Sequence, residues 1–263
     1  MTARAARFTA TVVAREQLSE HLVRVVLGGA GLAGFTSTGL PDEWVGLVVP
    51  GQFQSRYYTV RSWRDGLLTL DVMVHDVGLV TEWVARDCVG DEVVVTEPKG
   101  AFVLPADATW LVLVGDLTAL PAIARISEWH LARGGERTLA IHAEVPEDLS
   151  AYLPAEVLAS TTWLSPPEPG HSALADVVRE LDLPPGSGYF WMGGESAQMR
   201  AIRTHLMRER GLPAASYHVM GYWRSVLRRQ PRSVDPGPIW RAGKAAGKSD
   251  EQIWADYDAA RDD

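Results

Sequence analysis

The chain has 263 residues, 46% of them apolar, a formal net charge of −8 and a single cysteine, Cys88. The length accommodates two cores, the acidic balance argues against nucleic acid as a partner, and one thiol excludes an internal disulfide, an iron–sulfur cluster and a multi-cysteine zinc site, so no metal centre is expected and redox chemistry would need an organic cofactor. No apolar leader core appears in residues 1–14 and no apolar run approaches a membrane span; the expectation is a cytoplasmic protein without membrane insertion.

From Arg7 to about Phe102 the signals are those of strands. Phe8–Val13, His21–Leu27, Gly46–Val49, Arg56–Arg61, Leu67–Val74 and Glu92–Val95 are β-rich and bounded by Gly, Pro or Asp. Six short strands at this spacing predict a closed antiparallel barrel of Greek-key type. One helix, Val80–Ala85, interrupts them.

After Pro105 the rhythm changes. Trp110–Val114 reads as a buried strand, Leu120–Arg133 as a helix and Thr138–Ala143 as a second strand. Thr161–Leu164, Ser172–Leu181, Tyr189–Met192, Ala197–Gly211 and Ala215–Met220 continue the alternation, which predicts a parallel sheet with helices on both faces. Beyond Arg228 the chain is Pro- and Gly-rich until Ser249–Gln252, a capping box that opens a helix through Ile253, Trp254 and Tyr257. The expected division is a β-barrel at 1–106, an α/β unit at 107–228 and a C-terminal extension with a terminal helix at 229–263.

The densest chemistry lies in Arg56-Tyr57-Tyr58-Thr59-Val60-Arg61. Alternation places Arg56, Tyr58 and Val60 on one face and Tyr57, Thr59 and Arg61 on the other. A cation for a pyrophosphate, a flat ring and a hydroxyl suit a flavin dinucleotide, and the same run also reads as an ordinary edge strand with solvated arginines. Tyr58 and Thr59 could reach one flavin only if its ring lay across the strand end. Downstream, His75 to Trp83 runs through Gly78 into a helix start, where backbone N–H groups can hold phosphate and Thr81 can add a hydroxyl. Gly115-Asp116-Leu117-Thr118 ends the first α/β strand, with Thr118 expected as the cap of the following helix and Pro121 in its first turn. Gly193-Gly194-Glu195 is a second glycine-rich turn, followed by Arg200 and Arg203. Tyr222-Trp223-Arg224 with Arg228, Arg229 and Arg232 is the most basic stretch. Each of these is also readable as a capped helix or a solvated surface.

Taken in this order, the segments resemble the siderophore-interacting protein family, flavin-dependent ferric-siderophore reductases of the ferredoxin-reductase-like superfamily. The family's R-x-Y-T-x-R is matched by Arg56, Tyr58, Thr59 and Arg61, and its H-x-x-G-P-x-x-x-W by His75, Gly78 and Trp83, with Leu79 in place of proline. G-D-E-T-A-L-P-A-I reads Gly115 to Ile123 with Leu117 in place of the acid; Gly194, Glu195, Arg200 and Arg203 fit a fourth motif, and Gly221 to Arg224 a fifth.

The resemblance implies a barrel that binds FAD, an α/β unit that binds NADH or NADPH, and a reductase that releases Fe(II) from a ferric siderophore. Arg56, Gly78 and Thr81 would hold the pyrophosphate, Tyr58 would cover the ring, Thr59 would serve the reactive edge, and Arg61 would make a second phosphate or ribose contact. His75, Trp83, Asp116, Thr118, Gly194 and Glu195 complete the expected cofactor set, with Tyr58 and Thr59 as the catalytic pair. Arg125, Arg224, Arg228 and Arg229 are expected to face the anionic ferric chelate. The carboxylates of Glu144, Glu147 and Asp148 favour NADH over NADPH, on the rule that a carboxylate bonds a ribose diol and repels a 2′-phosphate. A monomer is expected, and a ferredoxin is a conceivable alternative donor. Another flavin reductase of the superfamily, or a non-catalytic ferric-chelate binder, are the competing readings.

Overall fold

The computed structural model describes residues 6–52, 54–75, 78–168, 170–224, 236–249, 252–253 and 256. Strands β1 (Arg7–Gln17), β2 (Leu22–Gly28), β3 (Trp44–Val48), β4 (Arg56–Arg64), β5 (Leu67–Met73) and β6 (Glu92–Thr96) close a barrel in the order β1-β2-β5-β4-β3-β6. Every neighbouring pair is antiparallel, and β6 returns to β1. The inward set, including Val12, Val23, Val25, Leu47, Val60, Leu70 and Val95, is essentially dry. Helix α1 (Leu79–Ala85) contributes Trp83 and Val84 to the same core.

Strands β7 (Trp110–Asp116), β8 (Thr138–Glu144), β9 (Thr161–Leu164), β10 (Gly188–Glu195) and β11 (Tyr217–Trp223) form a parallel sheet in the order β11-β10-β7-β8-β9. The central strands β7 and β10 are buried along their whole length, as their apolar runs Trp110–Val114 and Tyr189–Met192 require. Helix α2 (Leu120–Leu131) covers one face, and α3 (Leu174–Glu180) and α4 (Ser196–Thr204) the other. A π-helical turn, His205–Glu209, extends α4. Between β8 and β9 the connection is made by short 3-10 turns, Ser150–Tyr152 and Ala155–Ser160.

One element departs from expectation. Residues 236–245, within the Pro- and Gly-rich stretch where no helix was assigned, form helix α5 (Pro236–Ala245). Prolines at 236 and 238 fall in its first turn, where no intrahelical donor is lost. Gly243 admits a close neighbour, since a Cβ there would stand 2.4 Å from Ile253 Cγ1. The capping box after it is present: Gln252 N donates to Ser249 Oγ at 3.3 Å and Ser249 N to Gln252 Oε1 at 2.9 Å. Trp254 and Tyr257 lie outside the described residues.

The barrel and the sheet meet along β4 and α2. Arg61 on β4 donates to Glu128 on α2, Arg125 on α2 donates to the Val60 carbonyl, and the Tyr152 hydroxyl reaches Asp71 on β5. Asp42 accepts from the amides of Ala101 and Phe102 and faces the Trp191 indole, tying the loop before β3 to the connecting segment.

Candidate functional site

Strand β4 keeps the alternation that its sequence predicts, but its outward face is roofed. Val60 is fully buried in the barrel and Tyr58 packs against the same core. Burial pushes the Tyr58 phenol up, and the neighbouring Arg56 guanidinium pulls it partly back, so the two side chains lie close together. Arg56 itself is exposed and has no ion-pair partner among the described residues. On the other face Tyr57 is open at 70% exposure, whereas Thr59 is 5% exposed. The Thr59 hydroxyl has no hydrogen-bond partner, and neither has the Tyr222 hydroxyl from β11. Burial pushes the Tyr222 phenol up, and the nearness of Thr59 pulls it partly back. Burying an unsatisfied hydroxyl costs about 1–3 kcal/mol.

Arg61 falls outside the expected cradle. Its guanidinium forks onto Glu128 at 3.0 and 2.5 Å, and its Nε stands 3.8 Å from Asp71. A bulge between Val60 and Ser62 accompanies this turn of the strand toward α2. The expected phosphate or ribose contact is therefore replaced by a bolt between barrel and helix.

At the second segment Gly78 adopts φ 143°, which side-chain-bearing residues rarely adopt, and it precedes the first turn of α1. A Cβ there would approach His75 Cε1 at 3.2 Å, so exposed His75 and Gly78 are adjacent. Thr81 and Trp83 turn inward instead. Thr81 Oγ1 accepts from His75 N at 3.4 Å, and the Trp83 indole, 3% exposed, donates to Asp91 at 2.8 Å. Both brace the turn from within rather than presenting groups to a ligand, and α1 is held to the barrel by the tryptophan.

The strand ends of the sheet converge at the switch between β7 and β10. Asp116, 7% exposed, accepts from Thr118 N and Oγ1 and, through its other oxygen, from the Trp223 indole at 2.6 Å. Burial pushes its carboxyl up against these hydrogen bonds. Thr118 is thus not the cap of α2: its hydroxyl is turned back to Asp116, and Ala119 occupies the cap without a side-chain bond. Pro121 does lie in the first turn. Leu117 is buried in the sheet's own core, which accounts for an apolar residue at that position.

Glu195 caps α4, accepting from Ala197 N and Gln198 N. The glycines beside it serve close packing. A Cβ on Gly194 would stand 2.9 Å from Asp116 Oδ2, and one on Gly193 would crowd Ala119, Trp191 and Tyr222 at 3.0–3.3 Å.

Two of the expected chelate arginines are placed. Arg125 donates to the Val60 carbonyl at 2.5 Å and lies 3.4 Å from buried Glu43, so it serves the seam and not an open cleft. Arg224 is exposed at the end of β11. Arg228 and Arg229 lie outside the described residues. Arg203 donates to the Val219 carbonyl, while Arg200 is exposed.

The carboxylates after β8 are also committed. Glu144 is 3% exposed, accepts from Ala173 N at 2.8 Å, and is pushed up by burial. Glu147 reaches the barrel, accepting from Ser19 Oγ, Glu20 N, His21 N and the His21 ring. Asp148 accepts from Ser150 N. The free acidic ribose clamp read from the sequence is thus a set of braces. Glu147 and Asp148 nonetheless line, with Trp163, Leu164 and Ser165, a cavity of about 420 Å³ at the carboxyl ends of β8 and β9 that carries no basic side chain. Among the described residues no His/Cys/Asp/Glu group could hold a metal, and no helix is long and apolar enough to cross a membrane.

Comparison with known proteins agrees with this architecture. The family model described as Siderophore-interacting protein matches residues 108–226. A siderophore utilization protein from T. fusca is 30% identical, with 87% of this chain and 96% of that chain covered and a TM-score of 0.70. The siderophore-interacting protein SipS from Aeromonas hydrophila is 26% identical, with 84% and 99% covered and a TM-score of 0.65. An NADPH-dependent ferric-chelate reductase from Escherichia coli K12 is 25% identical over 240 residues, covering 81% of this chain and 91% of that protein. The six-stranded barrel followed by the five-stranded parallel sheet is the ferredoxin-reductase-like arrangement, and with near-complete two-way coverage at 30% identity the chain belongs to the siderophore-interacting protein family.

Proposed function

We propose that the chain is an FAD-dependent reductase that passes electrons from a nicotinamide dinucleotide to a ferric siderophore, releasing the iron as Fe(II). The observation that carries this reading is the Thr59 hydroxyl, enclosed between barrel and sheet without a hydrogen-bond partner on the strand that also presents Arg56 and Tyr58. The residues present fit FAD: a free guanidinium beside an aromatic ring, an unsatisfied buried hydroxyl, and a glycine-led turn with exposed His75 next to it.

When bound, FAD supplies hydride acceptance from a nicotinamide and single-electron delivery, which ferric iron requires. Arg56, with the backbone at Gly78, would hold and neutralise the pyrophosphate. Tyr58, packed against the barrel core, would lie against the ring. Thr59 would offer a buried hydrogen-bonding hydroxyl at the reactive edge. Barrel residues 1–106 act as the flavin unit and residues 107–228 as the nicotinamide unit, with the turns at Asp116–Thr118 and Gly193–Glu195 at the switch point where such ligands sit. The acidic, cation-free cavity at the ends of β8 and β9 supports NADH over NADPH, on the same repulsion of a 2′-phosphate. Exposed Arg224 is the described candidate for an anionic chelate. The relatives named for ferric-chelate and siderophore chemistry support this substrate class.

The test is anaerobic. A yellow protein whose flavin band bleaches with NADH, and recovers on addition of a ferric siderophore as trapped Fe(II) appears, supports the reading. A colourless protein that binds no added FAD sinks it. Faster bleaching by NADPH than by NADH sinks the donor preference alone.

A further inference from the structure

We propose that the outer face of the barrel, where it meets α2, carries a phosphate site formed by Arg24, Arg61, Ser62, Arg64 and Thr69, for inorganic phosphate or the phosphate group of a small phosphorylated metabolite. The site is separate from the candidate flavin and nicotinamide sites and does not depend on the flavin reading.

The bulge in β4 builds it. Simple alternation from buried Val60 would turn Arg61 and Trp63 outward and Ser62 and Arg64 into the core. The register instead steps from Val60 opposite Leu70 to Ser62 opposite Thr69, so Arg61 is the extra residue and the phase inverts after it. Trp63 turns inward and packs on Phe35 at a ring distance of 4.8 Å. Arg61, Ser62 and Arg64 are left together on the outside, beside Thr69 on β5 and Arg24 on β2, whose neighbours Leu68, Leu70, Val23 and Val25 fill the core. With Glu128 from α2 these five line a cavity of about 320 Å³.

The wall of this cavity is rich in donors. Arg24 spends Nε and Nη2 on Asp71 and keeps Nη1, while Arg61 spends both terminal nitrogens on Glu128 and leaves a buried Nε without a bond. Among the described residues, exposed Arg64 has no ion-pair partner, and the Ser62 and Thr69 hydroxyls have no hydrogen-bond partner. Asp71 and Glu128 balance two of the three guanidiniums, and Glu16, opposite Arg24 on β1, lies outside the lining. Such a wall calls for a negatively charged ligand with several acceptor oxygens. A tetrahedral phosphate can meet guanidinium forks and hydroxyls from several directions, whereas a planar carboxylate is satisfied by one fork. The volume lies at the small end for a ligand pocket, which suits a phosphate with at most a short carbon skeleton.

Its place in the fold keeps it apart from the sites already described. Arg56, the candidate pyrophosphate contact, opens β4 and Arg64 closes it, about 25 Å away at the rise of an extended strand. Glu128 lies about 12 Å along α2 from the helix start that follows Asp116–Thr118, away from the carboxyl ends of the strands where a dinucleotide sits. Glu128 is the internal competitor, because it occupies the fork of Arg61 that an arriving phosphate would also seek.

Calorimetric titration of the full chain with inorganic phosphate at fixed ionic strength tests the site, with acetate as the planar control and glycerol 3-phosphate as the ester. One phosphate per chain is expected, with no saturation by acetate. Tighter binding of glycerol 3-phosphate than of phosphate identifies a phosphorylated metabolite as the ligand, and weaker binding identifies the free ion. Arg64→Gln, which breaks no ion pair of the fold, should weaken phosphate about 10-fold or more, and Arg64→Lys less, since it keeps the charge without the fork. Glu128→Gln should tighten binding about 2- to 5-fold by freeing Arg61, whereas Glu180→Gln, the same charge change at an exposed position at the end of α3, should leave it unchanged. No saturable binding up to about 10 mM phosphate, equal binding of acetate, wild-type affinity in Arg64→Gln, or a Glu128→Gln variant that behaves like Glu180→Gln overturns the proposal. Loss of phosphate binding in the FAD-saturated chain also overturns it, by returning the cavity to the flavin. A chain that takes up no FAD sinks the flavin reading alone, and the phosphate titration still decides this site.

Discussion

Arg61 of the barrel strand and Glu128 of helix α2 form a two-pronged ion pair at 3.0 and 2.5 Å, so the second arginine of the Arg-x-Tyr-Thr-x-Arg motif joins the two halves of the molecule. Its neighbours confirm the role: the guanidinium lies over the Tyr152 ring at 5.6 Å, and the Tyr152 hydroxyl bonds Asp71. The pair is half in water on the Glu128 side, so its coupling should be about 1 kcal/mol or less in a double-mutant cycle on urea unfolding. Arg61→Ala should lower stability yet leave the FAD dissociation constant unchanged. Weakened FAD binding on a par with Arg56→Ala would return Arg61 to the cofactor.

Arg125 is the stiffer clasp. It bonds the Val60 carbonyl and stands against Glu43, whose side chain is dry. Burial pulls the Arg125 guanidinium down and Glu43 holds it up, but the group remains far from deprotonation at any ordinary pH. Arg125→Ala leaves a buried carboxylate with only Ser37 and Thr38 as donors, and should cost on the order of 2–4 kcal/mol in chemical unfolding. With an intact fold, its Michaelis constant for a ferric chelate should not move, whereas Arg224→Ala should raise it.

The acid limb of stability should contain a contribution from Glu147. Burial raises its carboxyl, but the hydrogen bonds from Ser19, His21 and Glu20 outweigh this and bring it below the ordinary glutamate value. In the unfolded chain the group takes up its proton first as pH falls, so stability is full above about pH 4.3, the unperturbed value, and is lost as pH drops through the lower folded-state value. Glu147→Gln should flatten that part of the unfolding profile. Asp116 and Glu144 act with the opposite sign: their carboxyls are raised by burial, so their contribution is present below the unfolded values and fades as pH rises through the folded ones. An Asp116→Asn variant whose stability profile keeps the full alkaline decline would contradict that assignment.

The strands and helices were legible because the period of the sequence changes from two to about 3.6 near Pro105, and both cores follow that change. The strand that carries Arg56, Tyr58 and Thr59 and the turn at Gly78 were legible because local strand and turn chemistry places them. Arg61, Arg125, Glu144 and Glu147 were misread for one reason: each is charged, each finds its partners 29 to 128 residues away, and no local pattern reports such pairing. Trp83 failed similarly, since a tryptophan in a motif looks the same whether it meets a ligand or fills a barrel. Helix α5 was hidden by prolines that are breakers in mid-helix but neutral in a first turn.

The Asp116–Trp223 bond offers a spectroscopic handle on the switch between β7 and β10. Gly194→Ala would place a Cβ 2.9 Å from Asp116 Oδ2, the oxygen that accepts the indole proton, with Leu174 only 3.8 Å away on the far side. The carboxylate must move, and Trp223 loses its acceptor or follows it. The cost should be about 1–3 kcal/mol, as for other overpacked sites. A Trp223→Phe reference isolates the indole's emission, which should shift in Gly194→Ala before any change in far-ultraviolet dichroism. Gly34→Ala, whose Cβ would meet only Phe8 Cε1 at an ordinary 3.6 Å, should leave the emission untouched. Normal Trp223 emission in Gly194→Ala would show that this contact does not govern the switch.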